Sequence, residues 1–460
     1  MEESTYWLEE APVFKAIKHM ALPMIFAMAI GTIYNFTDTL FIGFLGDTSA
    51  LAAVSLCLPY LAVVMALADL IGVGVGTAIS RHLGMHDGET TKRLSSFALW
   101  ATLALSVVMA FASLACIDPL LSLLGATGDA RQATQTFLSV TALAVPASML
   151  NLALCQVVRA KADSKTAMYG MMGSSVLNIV LDPAFIFGLH AGVAGAAWAT
   201  AIANLAAVIY YATSIAKSSE FTINPRFAVI KPALLAEVLK IGSAAMLMAL
   251  LTAVSSLVFN TAAMVYGEEV VAGFGVSQSI IQLIGLVAMG VFEGVVPLIA
   301  AAYGAENHAR VREIVQKTAL CLAVFCLAAG SIVFAFRGTL VSLFTADSAV
   351  VTIASAILTA QLFACTFECV SGLITGIFQA EGKGIAANVV SIVRGGALIP
   401  CILVGSAVFG LDGVVWALLA AEAVSATVCA GMYAVTRAKS KAPNTLAAGS
   451  TAKAAIERVA

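Results

Sequence analysis

Charge is the scarcest thing in this sequence. Asp, Glu, Lys and Arg make up 11% of its 460 residues, against roughly a quarter in soluble domains. Acids and bases nearly cancel to a net charge of −2, so no large basic surface exists for nucleic acid. No G-x-x-x-x-G-K-[ST] stretch occurs, which argues against ATP-driven work by this chain. The nine cysteines, at 57, 116, 155, 321, 326, 365, 369, 401 and 429, sit in apolar runs without metal-ligand spacing. The closest pairs are Cys321/Cys326 and Cys365/Cys369, and all nine read as reduced packing residues. The opening MEESTYWLEEAPVFK has no basic start before a short apolar stretch, so no cleaved leader is expected. His19, His82, His86, His190 and His308 all fall near the ends of apolar runs and read as solvated.

What is present in excess is apolar surface. Hydrophobic residues make up 61% of the chain, more than a soluble fold of this size could hide, so lipid is the solvent for most of it. A membrane helix needs about 20 apolar residues. Twelve runs qualify: roughly 17–45, 51–80, 94–117, 133–158, 166–188, 192–216, 238–264, 272–300, 314–336, 350–378, 386–409 and 413–436. They are too long, and too uniformly apolar, for barrel strands. With the first segment inside, 21 of the 24 Lys and Arg fall on inner segments and two, Arg131 and Arg337, on outer ones; Arg394 lies within a span. That bias places both termini in the cytoplasm.

Shifted by 220 residues, the sequence meets itself. Gly74, Ile79 and Gly84 fall on Gly294, Ile299 and Gly304, Ser122-Leu123 on Ser342-Leu343, and Ala160 on Ala380. The expected fold is an all-α integral membrane protein of twelve transmembrane helices, arranged as two six-helix bundles. An even number of spans per half makes these parallel repeats, related by a pseudo-twofold axis along the membrane normal. The first lobe is expected over 1–216, a cytoplasmic connector with Pro225 and Pro232 over 217–237, the second lobe over 238–438, and a mobile tail over 439–460. Two such bundles leave a cleft, and rocking them gives alternating access.

An ionisable group inside a span costs several kcal/mol and needs a reason. The chain has Asp38, Asp69, Asp182, Glu293, Glu368, Arg394 and Glu422 in such places. Asp38 lies about nine residues before an outer turn, Asp182 eight or nine before the next, and Thr200 nine or ten after it. At 1.5 Å per residue all three sit roughly 13 Å below the outer surface. Asn178 is one turn from Asp182 and Tyr34 one turn from Asp38, each on the same face as its neighbour. Two buried carboxylates cannot both stay ionised unless a cation joins them, so this group reads as a site for H⁺ or for Na⁺. Pro183 denies the Ile179 carbonyl its helical partner, and Pro23 is a second hinge. Position 38 maps near Val258 and 182 near Leu403, so the second half does not repeat the cluster. Its acids and Arg394 either line a substrate cleft or pair together. Glu293 and Asp69 lie nearer the inner side, where acids would suit a cationic substrate.

Four segments carry a family resemblance: YNFTDTLFIGFLGDTSALAAVS, GVGVGTAISRHLGMHDGE, NIVLDPAFIFGLHAGVAGAAWAT and VPLIAAAYGAENHARV. They resemble the multidrug and toxic compound extrusion (MATE) family, in its DinF-like bacterial branch. The resemblance implies two lobes with an outward-opening cleft in a bacterial cytoplasmic (inner) membrane. It also implies efflux of cationic, amphiphilic compounds in exchange for H⁺ or Na⁺, with no enzymatic activity and no cofactor. It carries the family's cation site to Asp38, Asn178, Asp182 and Thr200, adds Tyr34 and Asn151 beside it, and makes Pro23 a bending proline. Glu293 departs from the neutral residue usual at its position, which bears on substrate preference. The expected partners are small-molecule substrates and lipid, with a monomer sufficient. A lipid-linked precursor flippase would need a more basic cleft than Arg394 alone provides. A channel or receptor would need neither a twofold repeat nor a buried acid pair.

Overall fold

The computed structural model describes residues 5–45, 48–345 and 347–441. Among them, long helices account for nearly everything. Those of the first half are α1 (Val13–Gly43), α2 (Thr48–Gly84), α3 (Gly88–Ala115), α4 (Gly128–Ala160), α5 (Ser164–Pro183) and α6 (Gly192–Ala216). Those of the second begin with α7 (Pro232–Met264), α8 (Glu268–Gly304), α9 (His308–Ser342) and α10 (Ser348–Ala380). α11 starts as Gly384–Gly396 and resumes in the helical run Leu398–Lys441. That run is broken at Gly410, whose φ of 61° and ψ of −135° suit only glycine. There the chain doubles back, packing Gly405 backbone-to-backbone on Gly413, so α11 ends near 409 and α12 covers 411–441. Among the described residues, eleven stretches are long and apolar enough to span a membrane, and the last of these, with 55 residues, crosses twice.

The helices exceed the apolar runs by several residues at the ends that carry the basic loops, because polar end residues keep winding outside the lipid. α7 starts at Pro232, six residues before the expected boundary, as suits a proline in a first turn. The tail expected to be mobile lies, from 442 on, outside the described residues, and the helix before it runs to Lys441.

The internal repeat is visible in the element boundaries. α8 begins and ends 220 residues after α2, and α10 does the same after α4. Caps obey the same shift: Asp87 accepts the Thr90 N–H at 3.1 Å, and Asn307 the Arg310 N–H at 3.0 Å. The connector between α6 and α7 is fastened to α3, where Ser95, Ser96 and Trp100 donate to the carbonyls of Thr222, Asn224 and Ile223. Large apolar side chains such as Phe111, Leu320 and Ile332 are exposed, as a lipid-facing surface requires. Residues between 8 and 20 pack with Leu298, Ile299 and Ile314 of the second half as well as with Ala162 of the first.

Candidate functional site

α5 and α6 form the frame of the polar cluster. α5 winds regularly to Pro183, then widens into a π-helical turn, Ala184–Gly188, closed by the Leu189 N–H on the Ala184 carbonyl at 2.9 Å. The chain reverses within four residues into α6, with Gly195 packed against the Phe185 backbone. This tight antiparallel pair sets Asn178 opposite Thr200. With its amide nitrogen toward Asp182, Asn178 donates to Asp182 Oδ2 at 2.8 Å and accepts from the Thr200 hydroxyl at 3.0 Å. Asp182 is 0% exposed and Asn178 2%.

α1 brings the second acid. Asp38 lies close enough to Asp182 for the two carboxyl groups to interact, and Tyr34 lies beside both acids and Thr200. Oδ1 of Asp38 and Oδ1 of Asp182 are both buried without a hydrogen-bond donor. Facing carboxylates have only acceptor atoms, so a proton or a cation must lie between them for the contact to be favourable. The oxygen-only donor set suits a hard cation such as Na⁺ as well as a proton. Asn151 is one layer away: it donates to Asn204 Oδ1 at 2.8 Å, and Asn204 donates to Ser148 at 3.0 Å. Asn204 is one turn from Thr200 on α6. The sequence reading missed Asn204, although that spacing from Thr200 was there to be read.

Glu293 and Asp69, considered for the substrate cleft, belong to a different structure. Glu293 of α8 forms an ion pair with Arg159 of α4, and Asp69 of α2 faces the same two charges. A second pair joins Arg81 of α2 to Glu237 of α7. Both arginines are buried, at 6% and 5% exposure, and both pairs cross from one half to the other. Between them, backbones approach closely: Gly74 lies on Val238, Gly242 on Leu70, Gly84 on Ala301 and Gly304 on Arg81. Gly294 and Gly290 of α8 pack on Ala21 and Ile25, either side of Pro23. All these contacts lie at the end carrying the basic loops. Along α1 they reach Ile25, about 18 Å from its start. Beyond that depth the helices bond within their own half, Asn178 with Thr200 in one and Ser277 with Ala354 or Tyr266 with Ser406 in the other. The halves are joined at one end, and the carboxyl pair lies above the join.

The second half has its own polar group. Arg394 reaches Met248 Sδ and Thr375 Oγ1, each at 3.5 Å, while its Nε and Glu422 Oε2 are buried without partners. Among the described residues Arg394 makes no ion pair, so the simple Arg–Glu pair weighed from sequence does not form. Glu422 feels the charges of both Glu368 and Arg394, and Glu368 is exposed.

Twelve crossings in two repeated halves, joined at one end over a buried acid pair, define a membrane transporter. The MatE family signature matches residues 23–184 and 244–402. The chain is 37% identical to the multidrug export protein MepA of Staphylococcus aureus over 426 residues, 92% of this chain and 94% of that protein. It is 36% identical to MepA of Staphylococcus haemolyticus over 430 residues, 93% and 94% of the two chains. Among solved structures, a MATE protein in complex with MaL6 superposes with a TM-score of 0.89 at 25% identity, covering 95% of this chain and all of that one. An outward-facing multidrug resistance MATE transporter of the MOP superfamily gives 0.86 at 25% identity, covering 93% and 96%. This chain belongs to the MATE family.

Proposed function

We propose that the protein is a secondary antiporter, exporting cationic or amphiphilic small molecules in exchange for H⁺ or Na⁺ through alternating access. Its basic-loop end and both termini face the cytoplasm of a bacterial inner membrane, and one chain suffices, without ATP. The observation that carries this reading is the Asp38–Asp182 contact. Two acceptor-only groups buried against each other form a site that must be filled by a proton or cation whenever they stay together. Asn178, Thr200 and Tyr34 hold the ligating oxygens in place.

The coupling runs through α1. Asp38 lies on its outer part, while its inner part is fastened to α8 by Gly290 and Gly294 across Pro23. Loading the acid pair draws the outer part toward α5, and Pro23 takes up the bend. The cleft then closes around less space and cargo leaves outward. For the return stroke the Arg159–Glu293 and Arg81–Glu237 pairs must part, opening the cytoplasmic side. The driving force is about 2.3 kcal/mol per charge per 100 mV, plus any concentration term. The MepA relatives' name supports drug-like cargo. The two acids Glu368 and Glu422 beside the single Arg394 favour cations over the pyrophosphate of a flippase substrate.

Efflux of a cationic dye from proteoliposomes, with ΔpH and ΔNa⁺ imposed separately, tests this reading. One gradient should drive dye uphill and the other should not. Dye flux that runs only downhill and ignores both gradients would identify a channel instead.

A further inference from the structure

Three thiols lie together outside this mechanism. Cys326 of α9 and Cys365 and Cys369 of α10 hold their sulfurs within 4.8 Å of one another, and Cys326 Sγ is 3.3 Å from Cys369 Sγ. Cys365 and Cys369 are one turn apart on one face of α10, and Cys326 meets that face. All three are buried, 6–8% exposed, among Ile284, Ala288 and Leu322. No sequence spacing announces the cluster, since Cys326 is paired across helices with the Cys365/Cys369 turn rather than with Cys321.

Three thiolates around an ion at about 2.3 Å stand about 4 Å apart. The trio therefore matches a trigonal site after only small side-chain adjustments. Its surroundings decide which ion. An uncompensated charge in an apolar, membrane-embedded pocket is costly. A monovalent or divalent soft metal on three thiolates leaves a net negative complex, whereas a trivalent centre leaves none.

We propose that Cys326, Cys365 and Cys369 form a binding site for a trivalent group-15 oxyacid, arsenite or antimonite. Each S–H gives its proton to one hydroxyl of As(OH)₃. Three As–S bonds form as three As–O bonds break, three waters leave, and no oxidation state changes. The product is neutral, and it staples α9 to α10 within the second half without touching the joints between halves.

The test uses purified full-length protein incubated with sodium arsenite, passed over a desalting column, and assayed for bound arsenic by mass spectrometry. Wild type should retain one arsenic per chain. Cys365→Ser should bind at least tenfold more weakly, while Cys321→Ser and Cys401→Ser, outside the cluster, should bind as wild type does. Independently of any variant, arsenite should protect Cys326, Cys365 and Cys369 from alkylation in peptide-resolved mapping. Absence of arsenic from the wild type, undiminished binding by Cys365→Ser, or unprotected alkylation of the three cysteines would overturn the proposal.

Discussion

Among the described residues Asp182 meets Asn178, which is bonded in turn to Thr200, and a second carboxyl group, and it forms no ion pair with a base. Replacing it, or Asp38, with Asn keeps size and polarity but removes the acid that a cation must neutralise. We expect Asp38→Asn and Asp182→Asn to insert normally and to lose gradient-driven efflux down to the level of empty liposomes. This part of the site was legible in the sequence because it is built on short-range geometry: a helix, a tight turn and a returning helix fix the relative depths of Asn178, Asp182 and Thr200, and Asp38 matches that depth. Arg159 was not legible. It lies at the end of a span among residues that look like an ordinary basic loop, and its partner Glu293 is far away in sequence. Nothing local distinguishes a solvated arginine there from one buried in an ion pair.

At the scale of elements, the ends of the helices do separate jobs. Asp87 caps α3, and the hydrogen bond from Thr90 holds its carboxyl below the usual carboxylate range. A carboxyl lowered in the folded state stabilises above its unfolded pKa, about 4, and loses that contribution as the pH falls through the lowered value. Asp87→Ala should therefore cost about 1 kcal/mol at neutral pH. The gap in Tm between variant and wild type should shrink in acid, which thermal unfolding across pH would show. The ion pair of α4 and α8 has a different task. Removing one partner of a buried pair typically costs 3–5 kcal/mol, and here that cost falls on the state in which the halves meet. Glu293→Gln should shift the population toward cytoplasmic opening. A maleimide should then label Ala301→Cys, packed under Gly84, faster in the Glu293→Gln background than without it. Helix number and approximate limits were readable because apolar run length sets them. The division between α11 and α12 was legible because Gly410 and Asp412 interrupt the apolar run, and the winding breaks at Gly410.

For the whole molecule, the repeat puts equivalent glycines at one interface. Gly84 and Gly304, 220 residues apart, each rest on the backbone of the other half. A side chain at either place meets backbone atoms directly. Gly304→Leu should hold the halves apart at the cytoplasmic end, leaving a folded protein that no longer cycles. Efflux would be lost while the protein's size-exclusion profile stays monodisperse. The twofold architecture was legible from the sequence register alone. Which end was joined was not, because both conformations of such a transporter use the same helices, and only the contacts tell them apart. The divergence of the second half was legible too, since positions 38 and 182 map near Val258 and Leu403; what the sequence left open was whether Arg394, Glu422 and Glu368 pair or line a cleft, because their contacts run between helices.

The central claim is that the Asp38–Asp182 contact is where the driving ion is held. It is tested most directly by comparing dye accumulation against dye exchange in proteoliposomes carrying wild type or Asp38→Asn. The account predicts that wild type concentrates dye when the productive ion gradient is imposed and that Asp38→Asn does not. Gradient-driven accumulation by Asp38→Asn at the wild-type level would contradict it.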